Sequence, residues 1–505
     1  MFSYVYSGGI KGLEGFCVRV EADISSGMPS FDLVGYLSSE VREAQHRVGT
    51  ALRNSGYNLP VAHLTINLAP ADIRKSGTGY DLPIALSILA CMKEIPSKSL
   101  EDTFVIGELM LSGQLSTTRG VLPLMLSAKK QGFRKFIIPS SNSLEGSMVE
   151  GVEVYGMDSL EDTVNFLNGN VEVKPYKSIL VDELCKPNIY EYDFSLIKGQ
   201  HTCRRGIEIG AAGLHNIMMM GPPGSGKTML AKTIPSIMPP LSQKECLEVT
   251  SIHSIRGNIT NDSKLITKRP FICAHHTSTD ISLIGGGSTI RPGAVSMAHC
   301  GILFLDELPE FSRKALESLR QPLEDRQVHI NRNKDICTFP ADFMLVASLN
   351  PCPCGYYPDR NKCSCTDSQR SKYLSKISGP LMDRIDICIT AEKVLPKDLY
   401  SNDLSEDSAT IRNRIIEAHN IQKNRFTNRN ISFNSQMNNT DVLTFCNLAR
   451  TEEDYMKEFS NKYDLSARSY YRILKLSRTI ADLDGKDSIE ISHLAEAIRF
   501  KCSIE

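Results

Sequence analysis

The chain has 505 residues, 41% of them hydrophobic and 23% charged, and its formal net charge is −1. This length is too great for one ordinary hydrophobic core, and the composition is that of a soluble protein with about three domains. The near-zero charge excludes attraction of polyanions over the whole surface, so any nucleic acid must be bound by a local patch.

The first part of the chain, residues 1–170, is predicted to be a mixed α/β domain. Residues 61–69 (VAHLTINLA) alternate like a half-buried strand, and residues 83–92 have a helical pattern. Further strands are predicted at residues 103–111, 135–139 and 152–156.

The same region carries no sign of export or membrane insertion. The first twelve residues lack a basic segment followed by an apolar one, and the longest early apolar stretch, residues 84–92, is too short to cross a bilayer. Most of the 15 cysteines lie singly in apolar segments, which favours reduced thiols. We therefore expect a cytoplasmic protein without a membrane partner.

Three further regions follow. Residues 171–189 lose periodicity and accumulate Lys, Pro and Asp, which is typical of a linker. In residues 190–395, apolar strands such as 217–220, 302–305 and 344–347 alternate with helical patterns, which predicts an α/β core with a largely parallel sheet. Residues 396–505 are predicted to be all-helical, with Ser466 as a helix cap.

A phosphate-binding loop lies between the strand at 216–220 and a helix that includes residues 229–233. Its sequence, GPPGSGKT, matches the G-x-x-x-x-G-K-[ST] motif in the strand–loop–helix context that this motif requires. Glycines allow the backbone to wrap a phosphate, the lysine reaches the β- and γ-phosphates, and the threonine hydroxyl ligates Mg²⁺. The residues assigned to ATP binding are Gly221, Pro222, Pro223, Gly224, Ser225, Gly226, Lys227 and Thr228.

An acidic pair follows a second buried strand, in the sequence GILFLDE at residues 301–307. The end of that strand is predicted to place Asp306 beside the magnesium ion that Thr228 also ligates. Glu307 is then positioned to polarise the attacking water. These residues predict an ATP hydrolase.

Three segments resemble parts of the AAA+ ATPases. Residues 345–351 (LVASLNP) resemble the sensor-one strand, residues 378–386 (SGPLMDRID) the arginine-finger segment of the Mg-chelatase and minichromosome-maintenance branch, and residues 465–471 (LSARSYY) its sensor-two helix. The resemblance implies that Asn350 contacts the reacting water or the γ-phosphate. It also implies that Arg384 reaches a neighbouring subunit's nucleotide, and that Arg468, with Arg472 as an alternative, contacts the γ-phosphate. A finger supplied by a neighbour implies a ring, expected to be a homo-hexamer.

More extensive similarity places the chain close to one family. The segments KGQ (198–200), RRGIEIGAAG (204–213), AHHT (274–277), GGGS (285–288) and FLDELPEF (304–311) resemble the YifB/ComM family of Mg-chelatase-like ATPases. Members characterised in naturally competent bacteria are hexameric DNA helicases that drive branch migration during natural transformation. The resemblance therefore implies a DNA translocase that acts on single-stranded or branched DNA.

Residues 1–170 resemble the proteolytic domain of Lon, which uses a Ser–Lys dyad. By that resemblance Gly79 occupies the place of the serine and Leu122 the place of the lysine. Neither side chain can attack a carbonyl or accept a proton. A dyad of Ser76 and Lys75 is the remaining alternative. We expect a catalytically inactive platform for binding or assembly.

Four cysteines follow the sensor asparagine in the pattern C-x-C-x₈-C-x-C, within a loop at residues 352–365. Four thiolates in a short loop are a typical tetrahedral Zn²⁺ site, whereas reduced thiols or a disulfide pair are the alternatives. The predicted ligands are Cys352, Cys354, Cys363 and Cys365.

A hairpin is predicted at residues 327–339, with its turn at 331–335. In the related helicases a hairpin before sensor one points into the channel of the ring, and Arg332 and Lys334 at this tip are predicted to contact DNA phosphates without reading sequence. His275 and His276 are a second pair of candidates for the channel.

Two other functions remain open: a chelatase motor, and a protein-remodelling ATPase that uses its first domain to recruit clients. DNA-stimulated ATPase activity distinguishes the helicase from both.

Overall fold

The computed structural model describes residues 1–178, 190–259, 265–287, 290–332, 335–359, 361–393 and 406–501. The chain forms two compact units, and the division does not follow the chain order. The first unit comprises residues 1–187 and 242–267, and the second comprises residues 188–241 and 268–505. Residues 242–267, which the sequence pattern places inside the ATPase core, therefore pack with the first unit.

A seven-stranded mixed sheet forms the centre of the first unit. Across the sheet, the strands are Ser30–Val34, His63–Ala69, Glu14–Ser25, Phe2–Lys11, Thr103–Val105, Lys135–Pro139 and Glu153–Met157. The two longest strands pair in an antiparallel hairpin, and the last three strands are parallel to one another. Burial alternates along His63–Ala69, because one face of this strand contacts the core. The mixed α/β prediction is confirmed.

Helices cover this sheet and bury its apolar side chains. They are Ser39–Arg42, Ala44–Asn54, Asp81–Cys91, Val121–Lys130, Ser143–Gly146, Leu160–Leu167 and Gln243–Arg256, with 3₁₀ turns at Ser97–Leu100 and Ser140–Asn142. The last of these helices joins the unit through Leu247, which packs on a core that includes Phe136. Its Ser254 also donates a hydrogen bond to the buried carboxylate of Glu145.

The strand predicted at residues 103–111 is wrong as a single element. The structure has Thr103–Val105 in the main sheet and a separate strand, Glu108–Leu109, that pairs with Leu115–Ser116. The break lies at Gly107, where a Cβ atom would come within 3.0 Å of Leu82. Close packing against that leucine redirects the chain at this point.

The second unit contains a five-stranded parallel sheet. In spatial order the strands are Phe271–Ala274, Ile302–Leu305, Met344–Leu349, Ile217–Met220 and Ile387–Thr390. Numbered along the chain, the order is 2-3-4-1-5, so the first strand lies between the fourth and the fifth. The apolar strands are buried as predicted, and the parallel AAA+ core is confirmed.

Helices flank this sheet, and in the described residues after 406 the only regular structure is helical. The helices are His201–Gly213, Lys227–Ile237, Asp280–Ile284, Ala294–Met297, Arg313–Ser318, Arg320–Asp325, Asp367–Leu374, Gly379–Met382, Ser408–Arg425, Asn439–Phe445, Arg450–Tyr463, Ala467–Leu483 and Ile491–Arg499. Short 3₁₀ turns lie at Phe194–Leu196, Leu308–Glu310 and Asn434–Gln436, and short strands at Gly285–Gly286, Arg291–Pro292, Gln327–Arg332 and Asp335–Pro340.

The C-terminal helices share one hydrophobic core with the parallel sheet. Ser466 caps the helix Ala467–Leu483 by accepting from the N–H of Ser469, as predicted. Within the described part of the chain, no helix is both long and apolar enough to cross a membrane. The described cysteines are free thiols except Cys388, which is disulfide-bonded and so departs from the expectation of reduced thiols.

Candidate nucleotide site

The phosphate-binding loop connects the strand Ile217–Met220 to the helix Lys227–Ile237. Gly224 and Gly226 have φ angles of 76° and 82°, which residues with a side chain rarely adopt. At Gly221 a Cβ atom would lie 2.3 Å from a carbonyl oxygen at the end of the neighbouring strand. The glycines thus allow the loop to close over the N-terminus of the helix, where free N–H groups favour a phosphate.

Lys227 is the first residue of that helix and is only 9% exposed. Its Nζ donates to the carbonyl oxygens of Gly221 at 2.7 Å and Pro222 at 3.0 Å, and to Oδ1 of Asn350 at 3.2 Å. Burial lowers the pKa of Lys227, while the nearby acidic pair opposes that shift. The structure therefore places the loop lysine beside the residue that resembles a sensor asparagine.

Two hydroxyl groups orient Asp306. The Oγ1 of Thr228 donates to one carboxylate oxygen at 3.1 Å, and the hydroxyl of Ser348 donates to the other. Ser348 also accepts from the N–H of Glu307 at 3.3 Å. Hydroxyl and carboxylate oxygens are the hard ligands that Mg²⁺ prefers, so Thr228 and Asp306 fit the predicted ion. Ser348 was missed in the sequence, although the two-residue period of a strand places it on the same side as Asn350.

Glu307 points into solvent at the edge of this site. Its side chain is 52% exposed, and its backbone has a left-handed φ of 55°. His276, predicted from the sequence as a candidate channel residue, has Nδ1 3.9 Å from Oε2 of this carboxylate. An accessible carboxylate beside the metal ligands can contact a water molecule directly.

The arginines expected to act on nucleotide lie at the opposite edge of the sheet. Asn216, which precedes the strand Ile217–Met220, donates through Nδ2 to the carbonyl oxygen of Arg384 at 2.8 Å. The phosphate-binding loop begins at Gly221, five residues later, and a strand of that length spans ~16 Å. Arg384 therefore lies at the amino edge of the sheet, and Lys227 lies at the carboxyl edge.

Arg384 is held in a single orientation by its own subunit. Its side chain is 10% exposed, pairs with Glu324, and donates through Nη1 to the carbonyl oxygen of Pro380 at 2.6 Å. Its Nε is buried and has no hydrogen-bond partner among the described residues. A guanidinium in this state retains capacity to donate to a further acceptor.

Arg468 lies on the same side as Arg384. Its Nη1 is 3.7 Å from a carboxylate oxygen of Asp383, and Arg472 donates to the backbone carbonyl of the same aspartate at 2.7 Å. A cavity of about 840 Å³ brings these cations together. Its basic lining residues are Arg326, Arg384, Arg468, Arg472 and Lys475.

The four cysteine sulfurs converge as predicted. The Sγ atom of Cys352 is 3.3 Å from that of Cys354 and 3.7 Å from that of Cys363, and with Cys365 all four lie within 4.8 Å of one another. A tetrahedral ion with bonds of ~2.3 Å sets its ligands ~3.8 Å apart, so this donor set fits zinc. Hydrogen bonds from the backbone of Tyr356 and from the other three cysteines lower the pKa of Cys354 to about 6, whereas the pKa values of Cys363 and Cys365 are raised.

The predicted hairpin is present as two antiparallel strands, Gln327–Arg332 and Asp335–Pro340. The strands extend further toward the tip than expected, because Arg332 pairs with Asp335. Lys334, one of the two predicted DNA contacts, lies outside the described residues. Arg332 ends the first strand and so lies next to the tip.

In the first unit, the positions that resemble the Lon dyad carry no catalytic pair. Leu122 is fully buried and Gly79 has no side chain. Lys75 is also buried, and its Nζ donates to the carbonyl oxygen of Pro70, while Ser76 is exposed. The amine and the hydroxyl of the alternative dyad therefore differ in environment, and the amine already has a backbone partner.

Comparisons with known proteins agree with this geometry. Residues 193–399 match the family described as magnesium chelatase subunit ChlI, residues 20–142 match subunit ChlI of Mg-chelatase, and residues 405–501 match the ChlI C-terminal family. The chain is 38% identical to competence protein ComM of Haemophilus influenzae, over 99% of this chain and 97% of ComM. It is 37% identical to the uncharacterized protein YifB of Escherichia coli, again over 99% of this chain and 97% of YifB.

The chain belongs to the YifB/ComM family of Mg-chelatase-like ATPases. Membership implies ATP hydrolysis with Mg²⁺ as cofactor, which agrees with the arrangement of Lys227, Thr228 and Asp306. The Lon-like part has more distant relatives. Lon protease of Buchnera aphidicola is 23% identical over 32% of this chain.

Proposed function

We propose that this protein is a ring-forming, ATP-driven DNA translocase that promotes branch migration while incoming DNA recombines during natural transformation. The main support for a ring is that the phosphate-binding loop and the arginines expected to act on nucleotide lie far apart within one subunit. The phosphate-binding loop lies at the carboxyl edge of the parallel sheet, and Arg384 and Arg468 lie at its amino edge. In this proposal one subunit therefore does not complete its own site.

A neighbouring subunit supplies the missing cations in this proposal. The cavity next to Arg384, which is lined by both arginines and carboxylates, would face the nucleotide of the adjacent copy, and we infer a homo-hexamer, as in the helicases of this family. Arg468 would act on the same neighbouring nucleotide as Arg384, because both line that cavity. A guanidinium there offsets the negative charge that develops on the γ-phosphate during phosphoryl transfer.

Hydrolysis in this proposal uses the residues at the carboxyl edge. Lys227 and the loop amides bind the phosphates, and Asn350 orients the γ-phosphate or the water. Thr228 and Asp306 would hold Mg²⁺, which would supply positive charge beside the β- and γ-phosphates. Glu307 accepts a hydrogen bond from the attacking water and so increases the nucleophilicity of that water.

The DNA substrate is supported by the hairpin and by the relatives. The hairpin Gln327–Pro340 immediately precedes the strand Met344–Leu349, which is its position in the helicases that this chain resembles. A relative of nearly equal length is named a competence protein.

The second candidate is a Mg-chelatase-like or protein-remodelling ATPase without a DNA substrate, which the family models leave open. Stimulation of ATP hydrolysis by single-stranded or forked DNA tests the choice, and unchanged hydrolysis with every DNA would favour the second candidate.

For the double variant Arg332→Ala, Lys334→Ala, we expect loss of DNA-stimulated ATPase and of strand displacement on forked DNA. These side chains are proposed to neutralise phosphates, so residual binding should be indifferent to sequence and depend less steeply on salt. Titration of labelled DNA at several salt concentrations measures both effects. A double variant of two exposed cations in the first unit, Lys130→Ala, Arg134→Ala, serves as the control and should retain DNA stimulation. Equal loss in the control would contradict a specific role for the hairpin.

We also propose that the four cysteines at 352–365 hold a structural zinc ion. We expect about one zinc per chain in protein purified without added metal, because four thiolates fill the coordination sphere of Zn²⁺. Elemental analysis measures this ratio. Replacement of Cys352 and Cys363 by Ser should remove the metal, whereas Cys17→Ser, a free thiol in the first unit, should not. Metal content that is unaffected by the paired substitution would show that the cluster is not the site.

A further inference from the structure

The cysteine loop packs directly on the phosphate-binding loop. Gly355, between the second and third cysteines, has a φ of 85° and approaches Pro223. A Cβ atom at residue 355 would lie 2.6 Å from Cδ of Pro223 and 3.8 Å from Cγ of Asn350. Real Cβ contacts are rarely closer than 3.4 Å, so the two loops are as close here as a glycine allows.

The same loop is continuous with the sensor residue. Asn350 accepts a hydrogen bond from Lys227, and the fully buried Cys352 follows two residues later. Leu349, just before the sensor, also accepts from the N–H of Gly221 at 3.2 Å. Any displacement of Cys352 is therefore transmitted over two residues to a side chain that holds the loop lysine.

Other contacts hold the outer side of the cysteine loop. The guanidinium of Arg370 lies 4.1 Å from the ring centroid of Tyr357, and Nζ of Lys393 lies 5.7 Å from that of Tyr356. These largely half-buried cation–π contacts would be weak compared with four metal–sulfur bonds. The sulfurs are thus the main fixed point of the loop.

We infer that the metal-bound cysteine cluster positions the nucleotide site: it fixes Pro223 and Asn350, and loss of the metal weakens ATP binding and hydrolysis. This inference rests on the proposed zinc site and is independent of the DNA substrate. Gly355 is a positioning residue in this scheme, since it transmits the location of the cluster to the phosphate-binding loop.

The first experiment removes the metal from the full-length protein. A zinc-selective chelator, with Mg²⁺ in excess, should release the zinc and lower both the affinity for a fluorescent ATP analogue and the rate of hydrolysis by about 10- to 100-fold, as expected for a displacement near 1 Å. Added Zn²⁺ or Cd²⁺ should restore both. Cys363→Ser should behave like the chelated protein, and Cys17→Ser like the untreated one. Metal-free protein that binds and hydrolyses ATP normally would overturn the inference while leaving the zinc site intact.

The second experiment alters the contact between the cysteine loop and the phosphate-binding loop while the metal stays bound. Gly355→Ala should retain zinc by elemental analysis yet lose hydrolysis by a similar factor, because its methyl group would press on Pro223. Gly169→Ala is the matched control: its φ is 76°, and a Cβ atom there meets nothing within 4 Å. Normal hydrolysis by Gly355→Ala would overturn the inference. Protein that neither contains nor takes up zinc would overturn both the inference and the zinc site, whereas the DNA assays would be unaffected.

Discussion

Glu307→Gln should bind ATP with nearly unchanged affinity but hydrolyse it about 10²–10⁴-fold more slowly. In our proposal the exposed Glu307 carboxylate lies beside the Mg²⁺ ligands and acts on the water in the transition state. Lys227→Ala should instead weaken nucleotide binding about 10- to 100-fold, since charge-assisted hydrogen bonds to phosphate are made in the bound ground state as well. Glu307→Gln is thus expected to lose its rate of hydrolysis, whereas Lys227→Ala is expected to lose affinity for the nucleotide.

Equilibrium binding of a fluorescent nucleotide and steady-state phosphate release distinguish these effects. Glu310→Gln, three residues from the acidic pair, and Lys232→Ala, on the same helix as Lys227, are matched controls because both side chains are exposed. Both controls should resemble the unmodified protein. Normal turnover by Glu307→Gln would refute its assignment as the residue that activates water.

Arg384→Ala should keep its affinity for ATP and lose hydrolysis by about 10³–10⁵-fold, the contribution of an arginine finger in phosphoryl transfer. Affinity is retained because Arg384 and the phosphate-binding loop of its own subunit lie at opposite edges of the sheet. Mixing this variant with Lys227→Ala should restore part of the activity. In a mixed ring, an intact loop from one copy meets an intact arginine from the next.

Restoration is measured as ATPase activity of mixtures at fixed total protein, with mixed assembly verified by differently tagged copies. Arg134→Ala, an exposed arginine of the first unit, should have normal activity alone. No restoration in rings that contain both variants would mean that Arg384 does not act on a neighbour.

The sequence pattern predicted those elements whose burial is visible in the local run of apolar residues. The strands Ile217–Met220, Ile302–Leu305 and Lys135–Pro139 have the predicted bounds, because each is a short apolar run between polar or turn-forming residues. The hairpin of Phe2–Lys11 and Glu14–Ser25 was not predicted. Its first strand buries serines and glycines where an alternating apolar pattern would be expected.

The site was predictable as a set of motifs, and part of its arrangement follows from the parallel sheet. The loop lysine, the acidic pair and the sensor asparagine each follow a strand of a parallel sheet, so their meeting at one edge follows from topology. Arg384 lies three residues before the parallel strand Ile387–Thr390, so its place at the other edge also follows from topology, and Asn216 donates to its carbonyl oxygen. Arg468 lies near it because a helix from far along the chain packs there. Such tertiary contacts leave no periodic signal.

The helix Gln243–Arg256 belongs to the first unit, although the chain on both sides of its segment belongs to the second. The polypeptide leaves the second unit after Leu241, contributes this helix to the first, and returns at Lys268. Cleavage of the chain within residues 171–189 would therefore leave a helix of the first unit on the fragment that carries the second. An ATPase expressed from residue 190 onward would carry a helix whose Leu247 had lost its packing partners and whose Ser254 had lost Glu145. The first unit is thus completed by a segment from the middle of the chain, and removing residues 1–187 would expose an apolar helix face rather than delete a separable module.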